Sequence, residues 1–109
     1  MSKTVQKTSE EGYIKACEGV YRKTLIYGSN MLMTEFKLTG GYVLPMHQHP
    51  EEQTGYLVSG HIVLTIDSKE YDILPGDSWS IPGGIEHGAN LITDSLAIEV
   101  FSPAREDYK

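Results

Sequence analysis

The segment His47-Gln48-His49-Pro50-Glu51-Glu52-Gln53 sets two imidazoles one residue apart, ahead of a proline and an amide. In an extended strand, side chains two residues apart leave the same face, so His47 and His49 can aim at one point. Gln53 follows the proline that breaks the strand, and its amide oxygen can reach the same point as an uncharged ligand. His87, closing Pro82-Gly83-Gly84-Ile85-Glu86-His87, is the candidate third imidazole, because the Pro-Gly-Gly run forces a turn that can deliver one side chain inward.

Outward from these histidines the chain reads as short strands. Gly19-Val20-Tyr21 and Thr24-Leu25-Ile26-Tyr27 suggest two of them, and Gly28-Ser29-Asn30 is a turn signal. Met31 to Leu38 alternates, with Leu32, Thr34, Phe36 and Leu38 on one face and Met31, Met33, Glu35 and Lys37 on the other. Strands are also expected at Tyr42-Val43-Leu44, Tyr56-Leu57-Val58, His61 to Ile66, Tyr71 to Leu74, Ser78 to Ile81, His87 to Leu91 and Leu96 to Phe101. Asp67-Ser68-Lys69-Glu70 makes a hairpin among them. Regular spacing, many glycines and no convincing amphipathic helix predict an all-β sandwich or barrel.

The chain has 109 residues, enough for one domain and one core. Its 39% hydrophobic content fits a soluble folded chain, and the lone Cys17 cannot form an internal disulfide, so nothing demands an oxidising compartment. Residues 1–12 are polar and aperiodic and read as a loose arm. The N-terminus has positive charge without an apolar segment behind it, and no run approaches membrane-spanning length, so a cytoplasmic protein without membrane contact is expected. A net charge of −6 with scattered Lys and Arg argues against nucleic acid, which requires a concentrated basic patch. An anionic small molecule is still compatible, since a bound metal reverses the local sign.

Set side by side, the two histidine segments resemble the motifs of the cupin family of small jelly-roll β-barrels. The first motif is matched by Gly41, His47, His49, Gln53 and Gly60, with Gln53 where Glu is usual; the second is matched by Gly76, Pro82, Gly84 and His87. There Asn90 arrives one position early, and Leu91 holds the place expected for Asn. The resemblance runs roughly from Leu32 to Phe101 and implies a cupin barrel over residues 25–109, preceded by an arm over residues 1–24 with room for one strand. It also implies one divalent transition metal on His47, His49, Gln53 and His87, with Zn, Ni, Mn, Fe and Co all compatible with mixed N and O donors. Four uncharged donors leave the full charge on such an ion, which favours an anionic ligand.

Within cupins, the tail Glu99-Val100-Phe101-Ser102-Pro103-Ala104-Arg105-Glu106-Asp107-Tyr108 resembles that of the KdgF-type proteins of pectin and alginate breakdown. That resemblance implies ring opening of 4,5-unsaturated uronate monosaccharides, with Glu99, Phe101 and Arg105 lining the pocket and Glu99 replacing the family's Asp. Glu99 and Phe101 share a face of the last strand, and an acid among apolar neighbours does better facing a cavity than lying unpaired in a core. Glu99 is then the expected proton carrier, against a structural salt bridge, and Arg105 the expected carboxylate fork, against an ordinary solvated arginine. Tyr56, Trp79 and Met33 are further candidates for the cavity wall, against plain core, while His61 reads as an exposed strand residue. The apolar face of Leu96, Ile98 and Val100 is expected to support a homodimer. The rival functions are a metal-dependent dioxygenase or other small-molecule isomerase, and a non-enzymatic sugar- or ligand-binding module.

Overall fold

The computed structural model describes residues 3–109. Ten strands form two antiparallel sheets: β1 (Ile14–Cys17), β2 (Val20–Tyr27), β3 (Leu32–Leu38), β4 (Val43–His47), β5 (Glu52–Ser59), β6 (Ile62–Ile66), β7 (Lys69–Ile73), β8 (Ser78–Ile81), β9 (His87–Leu91) and β10 (Ser95–Ser102). One sheet runs β1-β2-β3-β10-β5-β8 and the other β4-β9-β6-β7, a jelly-roll arrangement, as the sequence predicts. A single 3-10 turn (Glu106–Tyr108) ends the chain, and among the described residues no helix is long and apolar enough to cross a membrane.

The period-two pattern decides what faces inward. Leu32, Thr34, Phe36 and Leu38 of β3 are buried and Met31, Met33 and Lys37 are exposed, while Gln53, Gly55 and Leu57 of β5 turn in and Thr54, Tyr56 and Val58 turn out. Val20, Leu32, Leu57, Ile81 and Phe101 are at most 1% exposed, and each such side chain contributes roughly 1.5–3 kcal/mol by burial. Thr34 is equally buried, and its hydroxyl donates to the Glu99 carbonyl at 3.1 Å, so no polar group is stranded. The β6–β7 hairpin turns on Asp67 and Ser68, both with positive φ (50° and 69°), as a two-residue turn that follows strand twist requires.

Four expectations change. The two short strands expected between Gly19 and Tyr27 are the single strand β2, which absorbs an irregularity between Thr24 and Ile26. The division between an arm ending at residue 24 and a barrel starting at 25 therefore falls inside β2, and β1 adds an edge strand before it. Met1 and Ser2 lie outside the described residues; residues 3–13 have no regular structure but are tied down, with Lys23 Nζ donating to the Ser9 carbonyl at 2.7 Å and the Tyr13 hydroxyl to Glu35. Finally, Pro45 lies within β4 rather than after it, which an edge strand with broken register tolerates because no ladder bond is lost there. The apolar residues Leu96, Ile98 and Val100 lie half-buried on the outer face of β10, where Val100 opposes Met33 and Ile98 opposes Tyr56.

Candidate metal centre and cavity

His47 is the last residue of β4 and His49 lies in the following loop, so one continuous strand does not aim both rings. Tertiary contact does that. His47 pairs in register with His87 on β9, their ring centroids 4.2 Å apart. The Pro82-Gly83-Gly84 turn then locks onto the first histidine segment: Gly84 N donates to the His49 carbonyl at 2.8 Å, and a Cβ on Gly83 would lie 2.1 Å from the Pro50 carbonyl oxygen. Only glycine allows that approach. The outcome is three imidazoles whose ligand nitrogens all fall within 4.8 Å of one another.

Each ring is held by its other nitrogen. Nδ1 donates to a backbone carbonyl in every case: Pro45 for His47 (2.8 Å), Glu51 for His49 (3.0 Å) and Ile85 for His87 (2.9 Å). A carbonyl can only accept, so Nδ1 carries the proton and Nε2 presents a lone pair, the arrangement that orients metal-binding histidines. Burial lowers the His87 imidazole to about 4 and lowers His49 as well, with the Arg105 charge acting in the same direction on both, so both rings stay neutral near pH 7.

The donor set fits a divalent transition ion on two further observations. His87 Nε2 is buried without a hydrogen-bond partner. His49 Nε2 and Gln53 Oε1 stand 2.6 Å apart, and both are acceptors, because the Gln53 amide nitrogen is turned away to donate to Glu99. Two facing lone pairs repel, and a buried acceptor without a donor costs roughly 1–3 kcal/mol. A cation shared by Gln53 and the three histidines relieves both conflicts, and three imidazoles with one amide oxygen suit Zn, Ni, Mn, Fe or Co.

The donors open onto a cavity of about 290 Å³. That lies at the lower end of the roughly 300–1,000 Å³ usual for small-molecule sites and suits a ligand about the size of a monosaccharide. Trp79, Glu99, Phe101, Arg105 and Tyr108 line it with the metal donors, and Val20, Phe36, Leu38 and Leu64 close the apolar side. Glu99 keeps some surface, but that surface faces this cavity, and burial raises its carboxyl to about 7 against the opposing pull of its bonds from Trp79 and Gln53 and the Arg105 charge. Phe101 is 1% exposed, with its ring edge-on to His49 at 5.5 Å and to Tyr108 at 5.4 Å.

Arg105 reaches the cavity with a fork already engaged. Its Nη2 lies 2.9 Å and its Nε 3.3 Å from the two Asp107 oxygens, while its Nε is 3.9 Å from Glu51 Oε1. The guanidinium carbons of Arg105 and Arg22 each lie 3.9 Å from the Tyr108 ring centroid, and two such groups can only occupy opposite faces of one ring. Arg22, Glu51, Asp107 and Tyr108 are supporting residues whose roles the sequence pattern does not reveal.

Two expected wall residues are elsewhere. Tyr56 is 49% exposed and Met33 38% exposed, both on the outer face of the six-stranded sheet, because the pleat that sends Gln53, Gly55 and Leu57 inward sends Tyr56 outward. Trp79 does face the cavity, lying over Gly55 with its indole nitrogen 3.0 Å from Glu99 Oε1. A glycine inside a strand is the one sequence signal that could have announced such a close approach. His61, expected as an exposed strand residue, immediately precedes β6, is half-buried, and bonds Asp72 away from the three histidines.

A cupin domain model matches residues 34–102. The structure superposes on KdgF from a Halomonas species with a TM-score of 0.90 and 29% identity, covering 97% of this chain and 100% of that one. An RmlC-like cupin from Shewanella frigidimarina gives a TM-score of 0.90 at 26% identity over 99% of this chain and 98% of the other. Salicylate 1,2-dioxygenase from Pseudoaminobacter salicylatoxidans shares the fold alone, at 10% identity and a TM-score of 0.76, with 81% of this chain and 27% of that one covered. No curated protein sequence matches the chain.

Proposed function

Since the chain belongs to the cupin family, by a domain match spanning residues 34–102, and carries an uncharged N₃O donor set, we propose that it opens the ring of 4,5-unsaturated uronate monosaccharides. The observation that carries this reading is the meeting of Glu99, Phe101 and Arg105 with the donors His47, His49, Gln53 and His87 around one small cavity. The likeness to KdgF along nearly the whole chain supports it.

His47, His49, Gln53 and His87 would hold a divalent ion, which would supply a positive centre for the anionic oxygens of the substrate. The remaining work falls to side chains. Glu99 takes the proton of the C1 hydroxyl as the bond between C1 and the ring oxygen breaks and C1 becomes an aldehyde. The electron pair left on the ring oxygen closes a carbonyl at C5, and C4 of the former double bond receives the proton from Glu99. Nothing is oxidised or reduced, and substrate and product are isomers. One carboxyl serves as base and then acid, which is why a single acid suffices. Arg105 offers the free edge of its guanidinium to the substrate carboxylate, and Phe101 keeps water from the floor of the pocket.

The test is incubation of metal-loaded protein with the unsaturated monosaccharide from galacturonate and with that from mannuronate or guluronate, following the enol-ether absorbance. Catalysed loss of absorbance without oxygen uptake is expected. Unchanged absorbance with metal bound rejects ring opening, and substrate-dependent oxygen uptake assigns a dioxygenase instead.

A further inference from the structure

Trp79, Gly55 and Glu99 stand in one row across three neighbouring strands, since Gly55 opposes Trp79 on β8 and Glu99 on β10. The middle position must be glycine: a Cβ there would lie 2.1 Å from indole Cε2 and 2.2 Å from Nε1. With that side chain missing, the indole lies flat across the strand and its N–H reaches Glu99 Oε1 at 3.0 Å. Gln53, two residues before Gly55 on β5, donates its amide N–H to the same oxygen. Among the described residues, Glu99 Oε2 receives no side-chain donor.

Resting on Glu99 as the proton carrier, we propose that Trp79 is its positioning residue. The indole and the Gln53 amide together pin Oε1, so that Oε2 alone handles the substrate proton. A glutamate has one more rotatable bond than an aspartate, and without these two donors its carboxylate would sample several positions in a cavity of this size. The pinning also links the metal centre to the acid. Gln53 presents its oxygen to the donor set and its N–H to Glu99, so an ion drawing electron density from the amide oxygen makes the N–H a stronger donor. Trp79 acts on the chemistry only through Glu99, and Gly55 makes the space that lets it.

Trp79 is the only tryptophan in the chain, so its indole N–H gives one unambiguous cross-peak in a ¹⁵N–¹H spectrum. The expected result is a downfield, slowly exchanging signal that moves upfield in Glu99→Gln. Stoichiometric Zn²⁺ should shift it in the unaltered protein and much less in Glu99→Gln, with Zn²⁺ bound equally in both. In kinetics, Trp79→Phe keeps the ring and removes the N–H, and kcat should fall about 10- to 100-fold, the scale of a misplaced catalytic group, with KM and metal content within about twofold. An indole signal indifferent to both Glu99→Gln and Zn²⁺, or a Trp79→Phe protein with unchanged kcat, overturns the proposal. If the unaltered protein turns over no uronate, ring opening fails by itself, and the indole signal alone then decides whether Trp79 and Gln53 hold Glu99.

Discussion

His49 Nε2 and Gln53 Oε1 face each other at 2.6 Å with no proton between them, because the Glu51 carbonyl fixes the hydrogen on the far side of the imidazole and Glu99 fixes the amide. That contact is the reason Gln53 is proposed as a fourth ligand beside the three histidines. Gln53→Glu is expected to bind metal more tightly while weakening affinity for an anionic ligand, since it cancels half of the ion's charge. Isothermal titration with Zn²⁺ and then with a uronate measures both changes; a rise in anion affinity would refute the charge argument. His87→Ala should fail to retain metal stoichiometrically.

Metal binding should also stabilise the fold, because the donor geometry exists only in the native chain. At a free metal concentration about 100-fold above Kd, the gain is roughly 2.7 kcal/mol. For a domain of this size that raises Tm by at least about 10 °C. Thermal unfolding with Zn²⁺ and with a chelator checks it, and no difference would mean that the four donors do not act together.

Glu99→Gln keeps the shape of the side chain and removes its ability to carry a proton. Turnover should fall about 100- to 10,000-fold with metal still bound. Full activity in this variant would remove Glu99 from the mechanism.

Arg105→Lys keeps the charge but loses the planar fork and the face that stacks on Tyr108 at 3.9 Å. One lost charge-assisted bond is worth roughly 1.5–3 kcal/mol, so KM should rise at least about tenfold with a smaller change in kcat. Steady-state kinetics separates the two effects, and an unchanged KM would leave Arg105 as a clasp for Asp107 and Tyr108 only.

Gly55→Ala sets a methyl group 2.1 Å from the indole of Trp79. Overpacking of this kind typically costs about 1–3 kcal/mol, and the indole must tilt away from Glu99. Urea denaturation together with the indole resonance measures both, and an alanine variant of native stability with an unmoved resonance would contradict the close approach.

The Tyr13 hydroxyl donates to Glu35 and is pushed up from 10.0 to about 12, first by that hydrogen bond, then by burial and the charges of Glu35 and Glu10. The folded chain favours the neutral phenol, so its contribution to stability is complete below pH 10 and is lost as the pH rises toward about 12. Tyr13→Phe should flatten that part of the alkaline stability profile, measured by urea unfolding between about pH 9 and 12. Identical profiles would mean that the arm is not held through this contact.

Much of the fold was legible because one face of each sheet is buried, so the pleat writes itself into the sequence as alternation. Leu32, Thr34, Phe36 and Leu38 show it plainly, and Glu99 with Phe101 shows it on the last strand. The same rule sends Tyr56 outward, since Gln53, Gly55 and Leu57 all turn inward. Edges and irregularities were harder to read. Pro45 suggested a strand end, although an edge strand accommodates it, and β2 looked like two strands because its register slips near Thr24.

Local chemistry and the two motifs around it marked His47, His49, Gln53 and His87 as candidate donors, because two imidazoles, an amide and a Pro-Gly-Gly turn stand at matching spacing. It could not say how they meet. The meeting depends on the register of β4 with β9 and on Gly83 closing over Pro50, contacts between residues more than thirty positions apart that leave no periodic trace. Tertiary packing likewise turned Glu99 toward Trp79 and Gln53 and brought Glu51 to 3.9 Å from the Arg105 guanidinium. Side-chain type is a property of each position, whereas the partner of a hydrogen bond is chosen by which strands lie side by side and in what register.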